Sequence, residues 1–110
     1  MKVLVMGGAG YVGCILVREL LSRGHAVRVC DRLFFGDAGL VEVRDQIELE
    51  IEDIRRISAR QLEDIDAVIN LAGISSDPVA EFRPKLTYEM NVAGAVHLAR
   101  VCKASGVRRY

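Results

Sequence analysis

Gly7-Gly8-Ala9-Gly10-Tyr11-Val12-Gly13 is the stretch of this chain best suited to chemistry. It follows a short apolar run, Lys2-Val3-Leu4-Val5-Met6, and it opens a helix-like segment. Strand, glycine turn and helix in that order form a phosphate cradle. Gly7 permits the tight turn. Gly10 has no side chain, so backbone can approach a pyrophosphate. Gly13 lets the helix lie close to the strand. The N–H groups of Tyr11, Val12 and Gly13 then face the phosphates at the positive end of the helix dipole.

The second chemical group is Asp31. It closes an apolar run, Val27-Arg28-Val29-Cys30, and stands 18 residues after Gly13. An acid at about that distance, roughly 20 residues on, accepts from ribose hydroxyls and repels the extra phosphate of NADP. Arg32 follows it and offers charge to a phosphate. NAD is therefore the favoured cofactor, with NADP the less favoured one. The plainer reading of the same residues is a buried strand ending in a solvated Asp-Arg turn.

These groups need strands and helices to hold them. The spacing predicts a helix over Tyr11 to Arg23, with Val12, Ile15, Leu16 and Leu20 on one face and Gly24 as its stop. His25 opens the second strand at the end of the sheet away from the glycine loop. Leu33 to Asp45 reads as a loop, in which Phe34 and Phe35 cover the sheet edge in preference to an adenine. Gln46 to Glu52 alternates, with Ile47, Leu49 and Ile51 opposite Glu48, Glu50 and Glu52. The acidic side reads as a solvated sheet face, because alternate strand positions do not converge on a metal. Read alone, Asp53 is equally a helix N-cap before an Ile54 to Glu63 helix.

Asp66 to Gly73 reads as a fourth strand ending in a small-residue turn, Leu71-Ala72-Gly73, where a cofactor's second ribose could come close. Ser75 and Ser76 then lie in a loop over the site, as substrate contacts or as ordinary Ser-Ser-Asp-Pro turn chemistry. Pro84 to Ser105 reads as one long helix with Met90, Gly94, Leu98, Val101 and Cys102 on a shared face, ended by Gly106. His97 reads as structural. Val107 to Tyr110 leads into a fifth strand. Strands alternating with helices imply an α/β, doubly wound parallel sheet with ligands at the strands' carboxyl ends.

Composition bounds the rest. In 110 residues there is room for one domain, and 51% apolar residues suffice for a core. The formal net charge is zero with no basic block, so nothing points to nucleic acid. No apolar run approaches a membrane span, and no leader-like stretch precedes the first strand. Cys14, Cys30 and Cys102 form no Cys-x-x-Cys pair and read as reduced, buried thiols. The expectation is a cytoplasmic protein without metal.

The Gly-x-x-Gly-x-x-Gly spacing resembles that of the extended short-chain dehydrogenase/reductase superfamily, in its NAD-dependent epimerase/dehydratase group. Leu71-Ala72-Gly73 is similar to that family's Leu-Ala-Ala or Leu-Ala-Gly, and Asn91-Val92-Ala93-Gly94 to its Asn-Val-x-Gly. The resemblance implies a Rossmann-type sheet, of which 1–110 is the incomplete amino-terminal part: four strands and the start of a fifth. It implies that Asp53 and the Ile54 backbone meet the adenine ring, although the family often has Gly-Asp where this chain has Glu52-Asp53. It gives Asn91 a role in organising the active site and the cofactor end.

The family's Tyr-x-x-x-Lys pair is not found here, since Tyr11, Tyr88 and Tyr110 have no Lys four residues on. The chain therefore reads as part of a longer enzyme. In such an enzyme a Tyr, acidified by Lys and the nicotinamide charge, removes a proton from a hydroxyl of a nucleotide-activated sugar while NAD accepts hydride. The family's dimers form through long helices, to which Pro84 to Ser105 could contribute. Two alternatives stand beside this one: an NADP-dependent ketone or aldehyde reductase of the same fold, and a non-catalytic dinucleotide-sensing domain.

Overall fold

A computed structural model describes residues 1–74 and 82–110. The expectations for Ser75, Ser76, Asp77 and Pro78 lie outside the described residues. Four strands, β1 (Lys2–Met6), β2 (Ala26–Asp31), β3 (Glu48–Ile51) and β4 (Ala67–Asn70), form one parallel sheet in the order β3-β2-β1-β4. Val3 pairs with Val27 on one side of β1 and with Ala67 on the other. The strand order turns back at β1, so its carboxyl end is the topological switch point where ligands of open parallel sheets sit. A parallel bridge between Ala67 and Arg109 starts a fifth strand beside β4.

Both faces of the sheet are covered, which explains the nearly continuous apolar strands. Val3, Val5, Val27 and Val29 pack under helix α1 (Tyr11–Ser22) together with Cys14, Val17, Leu40 and Val43. Leu4, Met6, Cys30 and Val68 pack on the other face against Ile54, Met90, Leu98 and Cys102. The second covering layer runs through α2 (Pro84–Tyr88), a π-turn (Glu89–Ala93) and α3 (Gly94–Ala104). It is the expected long helix with a widened turn inside it. The three cysteines are free and buried, and burial pushes the Cys30 thiol up to about 12, helped by Glu50.

Several expectations are corrected. The face of α1 is rotated: Gly13, Cys14 and Val17 are its buried residues, while Val12 and Ile15 are 60% and 57% exposed. Close contact at Gly13 fixes this rotation, because a Cβ there would run into the Gly7 carbonyl oxygen. Leu33 to Asp45 is not all loop; Ala38–Gln46 is a 3₁₀ segment that buries Leu40 and Val43. Phe35 is 96% exposed and covers no sheet edge. Ile51 is exposed too, at the carboxyl end of edge strand β3.

The Ile54 to Glu63 helix is two short 3₁₀ turns, Ile54–Arg56 and Ala59–Leu62. Ser58 breaks it, because its N–H and hydroxyl both donate to Gln61 Oε1 at 2.9 Å and start a new turn. Arg60 of the second turn lies 3.7 Å from Glu50 on the acidic side of β3, where Glu48 stays half exposed. Glu48 accepts from Lys2 Nζ at 3.0 Å and from Arg28 Nε at 2.6 Å, and these two bonds hold its carboxyl below the usual range. Arg28 is itself buried and donates to the carbonyls of Gln61 and Glu63.

Candidate functional site

The glycine loop leaves β1 at the switch point. Gly7 has φ +82°, and a Cβ there would stand 2.7 Å from Ala72 N and 2.8 Å from the Leu71 carbonyl carbon. Those neighbours are backbone and cannot yield, so the turn requires glycine. The same approach brings Leu71 and Ala72 against the loop. Leu71 N–H donates to Met6 O at 2.8 Å, and Ala72 N–H donates to Asn70 Oδ1 at 3.0 Å.

Gly10 differs from Gly7 and Gly13. A Cβ on it would meet only the Gly7 carbonyl oxygen, at 3.4 Å, so the space outside it is open. Gly10 is also the N-cap of α1, and no side chain caps the helix. The first helical bond runs from Cys14 N to Gly10 O at 3.0 Å. The N–H groups of Tyr11, Val12 and Gly13 are left without a helical acceptor. No acidic residue occupies the first turn to compete for them. An anion fits this helix end by charge and by hydrogen bonding.

Asp31 is fastened to this loop. Its Oδ2 accepts from Ala9 N–H at 3.0 Å and its Oδ1 from Leu33 N–H at 2.7 Å. Each carboxylate oxygen keeps a further lone pair, so the group can still accept from a ribose diol. Arg32 turns elsewhere. Its Nη1 lies 3.2 Å from Asp53 Oδ2, and its guanidinium lies over the Phe34 ring at 4.3 Å.

Asp53 carries more partners than sequence reasoning gave it. Its Oδ1 accepts from Arg55 N–H at 2.9 Å, so it does cap, though only a three-residue turn. Arg55 Nη2 also donates to Oδ2 at 2.6 Å, and that bond is the main reason the carboxyl is held below its ordinary range. Arg55 Nη1 continues to Glu89 Oε2 at 2.8 Å, at the start of the π-turn. Arg55 and Glu89 were not among the expected site residues; opposite charges 34 positions apart give no local signal. Ile54 is fully buried, and its side chain lies where a Gly94 Cβ would be.

Asn91 sits within the π-turn, a feature often found at functional sites. Its Oδ1 accepts from Ile74 N–H at 2.7 Å, and its Nδ2 donates to Ile74 O at 2.7 Å. It therefore holds the segment after β4 as a second strand would. A Cβ on Gly73 would stand 2.8 Å from Asn91 Oδ1. Asn70, Leu71, Ala72, Gly73, Ile74 and Asn91 line an open depression of about 310 Å³. His97 Nε2 donates to Ile57 O at 2.7 Å and is not among the residues lining this depression. Among the described residues, no three His, Cys, Asp or Glu side chains converge as a metal site would need.

A glycine turn at the switch point, an open helix N-terminus and an anchored acid after β2 together match a known pattern. The family model for the NAD dependent epimerase/dehydratase family fits residues 3–110. The chain belongs to this family. It is 37% identical over 110 residues to a UDP-glucose 4-epimerase of Lactobacillus helveticus, with 98% of this chain and 33% of that protein covered. It is 34% identical over 119 residues to a UDP-glucose 4-epimerase of Klebsiella pneumoniae, covering all of this chain and 86% of that sequence.

Among solved structures, it resembles the UDP-glucose 4-epimerase of Stenotrophomonas maltophila with bound NAD and formylated UDP-arabinopyranose. The TM-score is 0.88 at 33% identity, over 97% of this chain and 34% of that one. The chain thus spans about a third of these two longer relatives. The Rossmann-type parallel sheet and membership in the NAD dependent epimerase/dehydratase family are thereby established.

Proposed function

We propose that this chain is the dinucleotide-binding part of an enzyme that uses NAD to epimerise or dehydrate a nucleotide-activated sugar. The open α1 N-terminus beside the anchored Asp31 carries this reading. The N–H groups of Tyr11, Val12 and Gly13 would take the pyrophosphate, with Gly10 leaving room for it. Asp31 would accept from the adenosine ribose, and Asp53 with the Ile54 backbone would meet the adenine edge, sharing the Asp53 carboxylate with Arg55. Leu71, Ala72 and Gly73 would border the second ribose, and Asn91 would fix that border through Ile74.

When bound, NAD supplies reversible hydride acceptance. The residues of this chain bind and orient it. The sugar is proposed from the relatives' names alone. A helix-to-helix homodimer is supported by Tyr88, Val92 and Val96, which are exposed at four-residue spacing along the second layer. Three free, buried cysteines support the reducing conditions of the cytoplasm. Among the described residues no helix is long and apolar enough to cross a membrane.

The test is cofactor titration of the protein in its native length, followed by NMR of UDP-glucose incubated with it and NAD. Tighter binding of NAD than NADP and the appearance of a second sugar are expected. Absence of NAD binding would refute the dinucleotide reading. Binding without sugar turnover would leave the sensing alternative in its place.

A further inference from the structure

The cation best placed to welcome NADP is withheld from it. Arg32 directly follows Asp31 at the carboxyl end of β2. A guanidinium fork there matches a ribose 2′-phosphate in shape and charge. Yet Arg32 is tied twice on the other side, by the 3.2 Å ion pair with Asp53 and by the Phe34 ring beneath it. Asp53 is well placed to hold it, being only 9% exposed and fixed by Arg55. Arg55 in turn is shared with Glu89. Arg32, Asp53, Arg55 and Glu89 thus make a charge-balanced chain of two cations and two anions.

Resting on the dinucleotide reading above, we infer that Asp53 sets cofactor preference by sequestering Arg32. NADP is then rejected in two ways: Asp31 repels the added phosphate, and Asp53 withholds the compensating cation. Neutralising Asp53 leaves the group with one cation in excess, and Arg32 is the one beside the ribose acid.

The experiment measures NAD and NADP dissociation constants for the native-length protein and for Asp53→Asn, Arg32→Gln and the double variant. In Asp53→Asn the NADP to NAD affinity ratio rises about tenfold, the scale of one partly screened charge pair. In the Arg32→Gln background the same change moves the ratio less than twofold. The adenine role of Asp53 does not interfere, because both cofactors carry the same adenine and the ratio cancels it.

Arg32→Gln keeps the inference open to refutation should Asp53→Asn fail to fold. A paired Arg32 is not in use, so its loss moves the ratio less than twofold. A large further loss of NADP binding in Arg32→Gln shows Arg32 already serving the phosphate, and overturns the inference. So does a ratio that rises equally with and without Arg32. An unsubstituted protein that binds neither cofactor overturns the dinucleotide reading as well; one that binds NAD while Asp53→Asn leaves the ratio unmoved overturns this inference alone.

Discussion

Replacing Asn91 tests whether one side chain holds the segment after β4. Asn91→Ala removes two hydrogen bonds to Ile74, each 2.7 Å long. Such bonds contribute about 0.5–1.5 kcal/mol each, and these lie at the surface, so together they are worth roughly 1–2 kcal/mol. Alanine returns about 0.5 kcal/mol through its better helix propensity. The net loss is about 1 kcal/mol, read as a lower urea midpoint at unchanged slope. A sharper readout is hydrogen exchange at the Ile74 amide, which should speed up about tenfold while amides in β1 hold steady.

Asn91→Asp adds a sign to the argument. The aspartate keeps an acceptor for Ile74 N–H but sets its other oxygen against Ile74 O, where Nδ2 now donates. The charged form is disfavoured there, so the folded pKa rises above the unfolded value of about 3.9. A raised carboxyl pKa destabilises above the folded value, and the penalty fades as pH falls below it. Asn91→Asp should therefore be weaker than Asn91→Ala at pH 7 and recover toward pH 4. Unchanged exchange at Ile74 in Asn91→Ala, or an Asn91→Asp penalty that ignores pH, refutes the reasoning.

Two glycines of one loop should fail differently. Gly7→Ala forces a side chain into the left-handed region and onto the Ala72 backbone, costing about 3 kcal/mol in an unfolding titration. Gly10→Ala meets almost nothing, so stability falls by about 1 kcal/mol at most. On the proposed reading its methyl enters the space for pyrophosphate, so the NAD dissociation constant should rise about tenfold. Asp53 predicts an acid limb. Arg55 holds its folded pKa below the unfolded one, so the stability it contributes is complete above about pH 4 and is lost as pH falls through the folded value. Urea midpoints of the protein and of Asp53→Asn should converge across that window.

Much of the sheet was legible because buried parallel strands write themselves as unbroken apolar runs, and because glycine and acid mark their carboxyl ends. The rotation of α1 was not legible. Its buried face is built on Gly13 and Cys14, whose value lies in being small beside Gly8 and Gly39, whereas a hydrophobic pattern weights Val12 and Ile15. The 3₁₀ segments escaped for a related reason. Leu40 and Val43 recur at three, and Ser58-Ala59-Arg60-Gln61 carries the Ser-x-x-Gln start signal, but neither yields the longer period of an α-helix.

The site divides along the same line. Gly7, Gly10, Gly13 and Asp31 could be placed by counting, because one strand, one turn and one helix set their distances. Arg32, Asp53, Arg55 and Glu89 come from the ends of β2 and β3 and from the π-turn, so only the folded chain shows that their charges close on one another. That closure changes what Arg32 means. Beside Asp31 in the sequence it is a cation available to phosphate; in the fold it is the partner of Asp53 and lies over Phe34. A cofactor preference read from residues 31 and 32 alone would weigh one acid against one base. The fold sets two acids against that base, and on the proposed reading this tilts the site toward NAD by more than the local sequence alone would.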